Sequence, residues 1–337
     1  QTATQEATSQ SSARKKNKVS ASNKSNGKKR SNGQRHDAVT ATAAVTAKRN
    51  GQGGDAKRLS VTNNNSKSSK KSRQKKIQNK LKKLCGTVGR AISDFDMIRE
   101  GDSVLVGVSG GKDSLTLLDI LLQKQKKAPI NFRVAACTVD PQAPEYDPSP
   151  LVDYMKKKGV TYFVESRNIM ETAKTILDAN RDSICSFCSR MRRGILYNCA
   201  RREGYNVLAL GQHLDDLAES FVMSAFHNGL LRTMKGHYLN DKGDIRIIRP
   251  LAYVRERALR EYAVLASLPV IDENCPACFE APKERKRVKL MLASQEHVHP
   301  NVFSCLLRAM QPIMHGQLEQ LQAHRSKKKQ QRRAAAP

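Results

Sequence analysis

Apolar and polar positions divide the chain into three stretches. From Gln1 to about Asn79 there is no apolar periodicity; Ser, Asn, Lys, Gln, Gly and Thr dominate. Such a segment buries too little apolar surface to offset the entropy of ordering, so residues 1–76 are expected to be a disordered basic extension. Beyond it Ile77, Leu81, Leu84, Val88, Ile92 and Phe95 recur at helical spacing and predict an opening helix. Short apolar runs then alternate with helical patterns: strands at 103–108, 132–139, 161–165 and 206–210, with helices at 114–124, 151–158, 169–179 and from Cys188 to about Arg202. After Asp216 the pattern is mainly helical, at 217–226, 255–266, 284–293 and 302–322, interrupted by a Gly-centred turn within 238–248. Strand–helix alternation predicts an α/β fold with a doubly wound, mostly parallel sheet over residues 77–322 and a helical C-terminal part. Residues 323–337 read as a second disordered tail.

Charge sharpens this division. The 337 residues carry a formal +29, yet 22 Lys or Arg face only 3 Asp or Glu within residues 1–83, and residues 323–337 hold 6 basic residues and no acid. The middle is therefore nearly neutral, and the low hydrophobic fraction of 39% is a property of the ends. Basic ends point to a polyanion, nucleic acid first, or to a localisation signal. Blocks such as Lys28-Lys29-Arg30 fit a nuclear signal, an RNA-binding arm or an organellar presequence equally well. No run approaches the roughly 18 apolar residues of a membrane span. No membrane partner is expected, and the compartment is expected to be intracellular, cytoplasmic in preference to organellar, with a nuclear signal left open.

The stretch that organises the chain is Ser109-Gly110-Gly111-Lys112-Asp113-Ser114, between the strand at 103–108 and the next helix. Glycines permit a tight turn and close approach of a ligand. A helix N-terminus offers free N–H groups to an anion, and Lys112 with the hydroxyls of Ser109 and Ser114 would complete a phosphate cradle. The spacing is not that of a Walker A loop, because Gly107 to Gly111 is too short and Asp113 follows Lys112 where Ser or Thr would stand. Ligands of parallel sheets bind beyond the carboxyl ends of strands. Three segments meet that condition: Ser109–Ser114, Asp140, and Gly211-Gln212-His213-Leu214-Asp215-Asp216.

The cysteines form a second set. Cys185-Ser-Phe-Cys188 and Cys275-Pro-Ala-Cys278 are C-x-x-C pairs, a spacing that lets two thiolates converge on one metal. Zinc ribbons bring such pairs closer in sequence than this, and an iron–sulfur cluster also takes thiolates; spacing alone leaves both open. Cys137 and Cys199 fall on apolar patterns and read as core residues. Arg190, Arg192 and Arg193 follow the first pair, and Lys283, Arg285, Lys286, Arg287 and Lys289 the second, which suits a phosphate-rich substrate. With no Trp and few aromatic residues, a base-stacking platform is not expected.

Residues from about 77 to 316 resemble the TtcA-type tRNA 2-thiocytidine synthetases of the PP-loop ATPase superfamily, whose fold is Rossmann-like. The resemblance rests on Phe95-Asp-Met-Ile98, Ser109–Ser114, Cys185-Ser-Phe-Cys-Ser-Arg-Met-Arg-Arg-Gly194, Gly211–Asp216, Arg249-Pro-Leu251 and Cys275–Cys278. It implies a catalytic set of Asp113, His213, Asp215 and Asp216. Ser109, Gly110, Gly111, Lys112, Asp113, Ser114, Asp140 and Gly211 would bind Mg2+ and ATP. A [4Fe–4S] cluster would be held by Cys185, Cys188 and Cys275, with Cys278 assigned no firm role. Implied partners are tRNA, a sulfur donor (a cysteine desulfurase or a persulfide carrier) and a second copy of the chain as a homodimer. Gln212 stands where His is frequent in that family. The alternatives left open are a related 2-thiouridine synthetase with structural zinc and a non-catalytic basic RNA-binding protein.

Overall fold

Strand β1 (Ser103–Gly107) lies inside a six-stranded sheet with β2 (Arg133–Asp140), β3 (Thr161–Ser166), β4 (Val207–Ala209), β5 (His237–Leu239) and β6 (Arg246–Ile248), in the order β3-β2-β1-β4-β6-β5. The computed structural model describes residues 58–143, 146–176, 184–271 and 283–316. The strands from β3 to β6 in that order run parallel, and β5 pairs antiparallel to β6 at one edge. Both faces of the central strands are covered, which is why they read as continuous apolar runs rather than alternating ones. Val104, Val106, Val134, Ala136, Val207 and Ala209 face one apolar core. Leu105, Ala135, Cys137, Leu208 and Ile247 face a second.

The first core is built with helices α1 (Arg58–Asp94), α2 (Lys112–Gln125), α3 (Ser149–Lys158), α6 (Leu214–Asn228), α7 (Glu256–Ala266), α8 (Lys283–Val298) and α9 (Val302–Met314). The second is closed by α4 (Ile169–Ile176) and α5 (Ile184–Arg202) through Ile169, Ile195, Leu196 and Cys199. Cys137 and Cys199 are fully buried there, as their positions suggested. The chain runs from β1 outward to β2 and β3, then returns to place β4 on the other side of β1. The order reverses between β1 and β4, and the crevice beyond their carboxyl ends is where ligands bind in such sheets.

The structure departs from the sequence expectations in four places. Helix α1 starts at Arg58, well before residue 77, inside the stretch 1–76 expected to be disordered. Ahead of the apolar period that begins at Ile77, the helix is docked at Arg73 by hydrogen bonds. Arg73 donates to the Leu265 carbonyl (3.2 and 3.0 Å) and to Ser267 Oγ (2.6 Å), and Lys80 pairs with Glu261. The expected turn within 238–248 is a hairpin of three-residue strands, too short to show a period, closed by Asn240 Oδ1 accepting from Asp244 N–H (3.1 Å). Helix α5 begins at Ile184, so Cys185 and Cys188 stand in its first turn rather than in a turn before it. Helix α2 begins at Lys112, which makes the second half of the glycine loop already helical. The rest of the N-terminal extension and the tail 323–337 lie outside the described residues.

Candidate active site

The loop after β1 is tightened by its own hydroxyls. Ser114 Oγ accepts from Ser109 N–H (3.2 Å) and donates to the Gly111 carbonyl (3.0 Å), while Gly111 N–H donates to Ser109 Oγ (3.3 Å). Gly110 has φ +92°, and a Cβ there would stand 2.2 Å from Ile271 Cγ1. The Ile271 N–H donates to the Gly110 carbonyl (3.1 Å), so the loop needs glycine both for its conformation and for this contact. Gly111 caps α2 with no side-chain acceptor, which leaves the helix N–H groups directed to whatever enters the loop.

Gly211, after β4, brings the second loop against the first: a Cβ at this position would lie 3.2 Å from Ser114 N. His213 then caps α6 in a reciprocal box, with Asp216 N–H donating to its Nδ1 (3.4 Å) and His213 N–H donating to Asp216 Oδ2 (3.1 Å). Asp215 turns the other way, accepting from Glu256 N–H (2.7 Å) and from Arg255 (3.2 Å). Arg255 in turn holds Glu296 of α8 with both nitrogens, at 2.5 and 2.8 Å.

A cavity of about 580 Å³ opens at the β1/β4 reversal. Ser109, Asp113, Ser114, Gly211 and Asp216 line it from the two loops, together with Arg192, Arg193, Arg249 and Arg285. Four arginines and the start of α2 give this cavity a lining whose chemistry suits an anion. Asp113 Oδ1 is buried with no hydrogen-bond partner, while Oδ2 meets Lys112 Nζ (3.0 Å) and lies 3.8 Å from His213 Nε2. A buried carboxylate oxygen left unmatched is costly unless a ligand completes it.

Lys112 also reaches Glu256 (3.1 Å), which receives Lys289 of α8 at 2.6 Å. Burial pushes the Glu256 carboxyl up, but hydrogen bonds from Lys289 and Lys112 outweigh it and hold the group down at about 2. Burial lowers Lys112, and its two carboxylate neighbours raise it by more, so its ammonium is kept charged. Glu219, buried on α6, is shifted up by burial and touches Arg285 (3.3 Å). Arg249 is buried, donates to Gln212 Oε1 (3.2 Å) and the Lys235 carbonyl (2.8 Å), and stands over the Tyr238 ring.

The loops after β1 and β4 therefore come together, with His213 and Asp215 packed behind the cavity wall. Asp140 does not line the cavity. Its carboxylate, at the end of β2, accepts from Gln142 N–H (2.8 Å) and Ser166 Oγ (3.3 Å), while Cys137 and Val139 of the same strand and Tyr146 beyond it do line the cavity. Cys188 is half-buried and directly precedes the cavity-lining Ser189. The side chain of Cys185 and all of Cys275 and Cys278 lie outside the described residues. Among the described residues no three His, Cys, Asp or Glu side chains converge as a metal site. Arg255, Glu256 and Glu219 escaped the sequence reading: each acts through a partner distant in sequence, and only the placement of Arg255-Glu256 at a helix start after Arg249-Pro-Leu251 hinted at them.

This cradle, at the reversal point of a parallel sheet and without Walker geometry, defines the class. The chain belongs to the PP-loop domain family, whose model matches residues 73–292. Among its relatives is a tRNA-cytidine(32) 2-sulfurtransferase of Stenotrophomonas maltophilia, 40% identical over 70% of this chain and 79% of the relative. Another of that name, from Geobacter sulfurreducens, is 39% identical over 68% of this chain and 90% of its own length. Among solved structures, the U34-tRNA thiolase NcsA from Methanococcus maripaludis with its [4Fe–4S] cluster superposes with a TM-score of 0.59 over 71% of this chain and 80% of that one, at 24% identity, and shares the fold.

Proposed function

We propose that the protein is an ATP-dependent tRNA sulfurtransferase that adenylates the C2 carbonyl of an anticodon-loop cytidine and replaces that oxygen with sulfur. The observation that carries this reading is the unmatched Asp113 Oδ1 in a phosphate cradle facing four arginines, in a chain related to the cytidine sulfurtransferases. The loop amides, Ser109, Ser114 and Lys112 bind the pyrophosphate part of ATP. Mg2+ fits the donor set, because it binds through one or two carboxylates and substrate phosphates rather than an all-protein cage; Asp113 and Asp216 would hold it.

Phosphoryl transfer requires positioning and charge neutralisation more than acid–base work. The cytidine O2 attacks the α-phosphorus, the bond to pyrophosphate breaks, and the oxygen becomes part of a good leaving group. Lys112 neutralises charge building on the departing pyrophosphate, and Glu256 with Lys289 fixes the direction of that ammonium. Hydrosulfide adds at C2, the C–O bond breaks, and AMP departs with the former carbonyl oxygen as a proton leaves the sulfur. Arg192 and Arg193 steer phosphates toward the same cavity.

Cys185, Cys188 and Cys275 would hold a [4Fe–4S] cluster, and Cys188 beside the cavity-lining Ser189 is a donor of the right chemistry. Such a cluster, held by these thiolates, would supply iron to which sulfide could bind. A cysteine desulfurase or persulfide carrier is the class of protein that would supply the sulfur. The test is an anaerobic incubation of cluster-loaded protein with ATP, Mg2+, sulfide and unmodified tRNA. One AMP and one pyrophosphate per sulfur inserted is the expected balance. Formation of ADP and phosphate, or ATP binding without turnover in the presence of tRNA, would overturn the adenylating mechanism.

A further inference from the structure

A second cavity, of about 420 Å³, adjoins the first and shares Met234 and Arg285 with it. Ser220, His227 and Asn228 of α6 and Arg232 from the following loop supply its polar lining, and Met223 its apolar one. No Asp or Glu is among the described residues that line it. The loop is pinned to α6: Ser224 Oγ donates to the Leu230 carbonyl (2.8 Å) and Thr233 Oγ1 to the Leu217 carbonyl (2.7 Å). Arg232 is thus an exposed cation on a fixed backbone. Arg285, at the junction, is already shared between Glu219 (3.3 Å) and Asp216 (3.8 Å), and His227 meets Glu284 (2.7 Å) from outside the groove.

We infer that this groove carries the phosphodiester chain next to the nucleotide whose base enters the main cavity. The inference rests on the tRNA sulfurtransferase reading and deepens it. A free anion would be served by one enclosed cation cluster. Here Arg232 and the shared Arg285 line a cavity that adjoins the reaction cavity, with the hydroxyls of Ser220, Ser224 and Thr233 and the Asn228 amide, groups that suit ribose hydroxyls. Arg232 contacts a phosphate, which positions the strand without reading its sequence. Met223 and Met234 give a flanking base an adaptable apolar wall.

The experiment measures full-chain binding to tRNA by fluorescence anisotropy over a series of salt concentrations, with ATP affinity measured in parallel. Arg232→Glu is expected to weaken tRNA binding at least tenfold and to reduce the slope of log affinity against log salt by about one. Asn228→Lys, which adds a cation to the same groove, is expected to strengthen binding and raise the slope by about one. Wild-type tRNA affinity and slope in both variants, with ATP affinity intact, would overturn the groove assignment alone. Wild-type protein that binds ATP but no tRNA would overturn the sulfurtransferase reading and the groove with it.

Discussion

Two aspartates belong to the carboxyl-end side of neighbouring parallel strands, one at the start of α2 and one at the end of β2, and their surroundings differ. Asp113 follows β1 and has one buried oxygen without a partner in a cavity faced by arginines. Asp140 ends β2 and satisfies both oxygens locally, through Gln142 and Ser166. The strand order reverses beside β1, so the loops of β1 and β4 splay into a crevice, whereas β2 is flanked by β1 and β3 with no reversal. The two carboxylates thus differ in satisfaction: one keeps an unmatched oxygen at the cavity, and the other is bonded locally at both.

The largest expected break of this contrast is Asp113→Asn. Removing the charge proposed to orient nucleotide and cation is expected to lower thiolation turnover by about 10²- to 10³-fold, read as AMP released per minute, with tRNA affinity held within about twofold. Gly110→Ala comes next. Its φ of +92° and the approach of Ile271 exclude a Cβ, so ATP affinity is expected to fall tenfold or more by calorimetry, and Ile271→Ala to restore only part of it, because the strained φ remains.

The third effect is on stability. Glu256 is depressed from 4.5 to about 2 in the folded protein, so its contribution is complete above pH 4.5 and is lost as pH falls toward 2. Urea unfolding at pH 6 and at about pH 2.5 is expected to show the gap between wild type and Glu256→Gln narrowing by roughly 2 kcal/mol; a constant gap would contradict the Lys112–Glu256–Lys289 chain. The smallest effect belongs to Asp140→Asn, for which turnover is expected within about threefold of wild type.

The sheet was legible because strands buried on both faces are unbroken apolar runs, such as Val104 to Val106, and because glycine loops announce their bends locally. Ser109–Ser114 and Gly211–Asp216 could be read for the same reason: each is contiguous, and parallel topology places both at one end of the sheet. Asp140 shows the limit of that reading: sequence gives the end of β2, but not the local bonds to Gln142 and Ser166 that occupy its carboxylate. Arg255 and Glu256 were invisible because their meaning lies in Asp215, Lys112, Lys289 and Glu296, partners between 33 and 144 positions away. The start of α1 was missed because the residues before Ile77 carry no apolar period, and the contact made there by Arg73 is polar.

The most direct measurement is the identity of the thiolated nucleoside. After anaerobic reaction of the cluster-loaded protein with ATP, sulfide and unmodified tRNA, the RNA is digested and its nucleosides separated by mass. The account predicts 2-thiocytidine from wild type, about a hundredfold less or below from Asp113→Asn, and near wild-type yield from Asp140→Asn. Thiolated uridine in place of cytidine, or equal losses in the two aspartate variants, would contradict it.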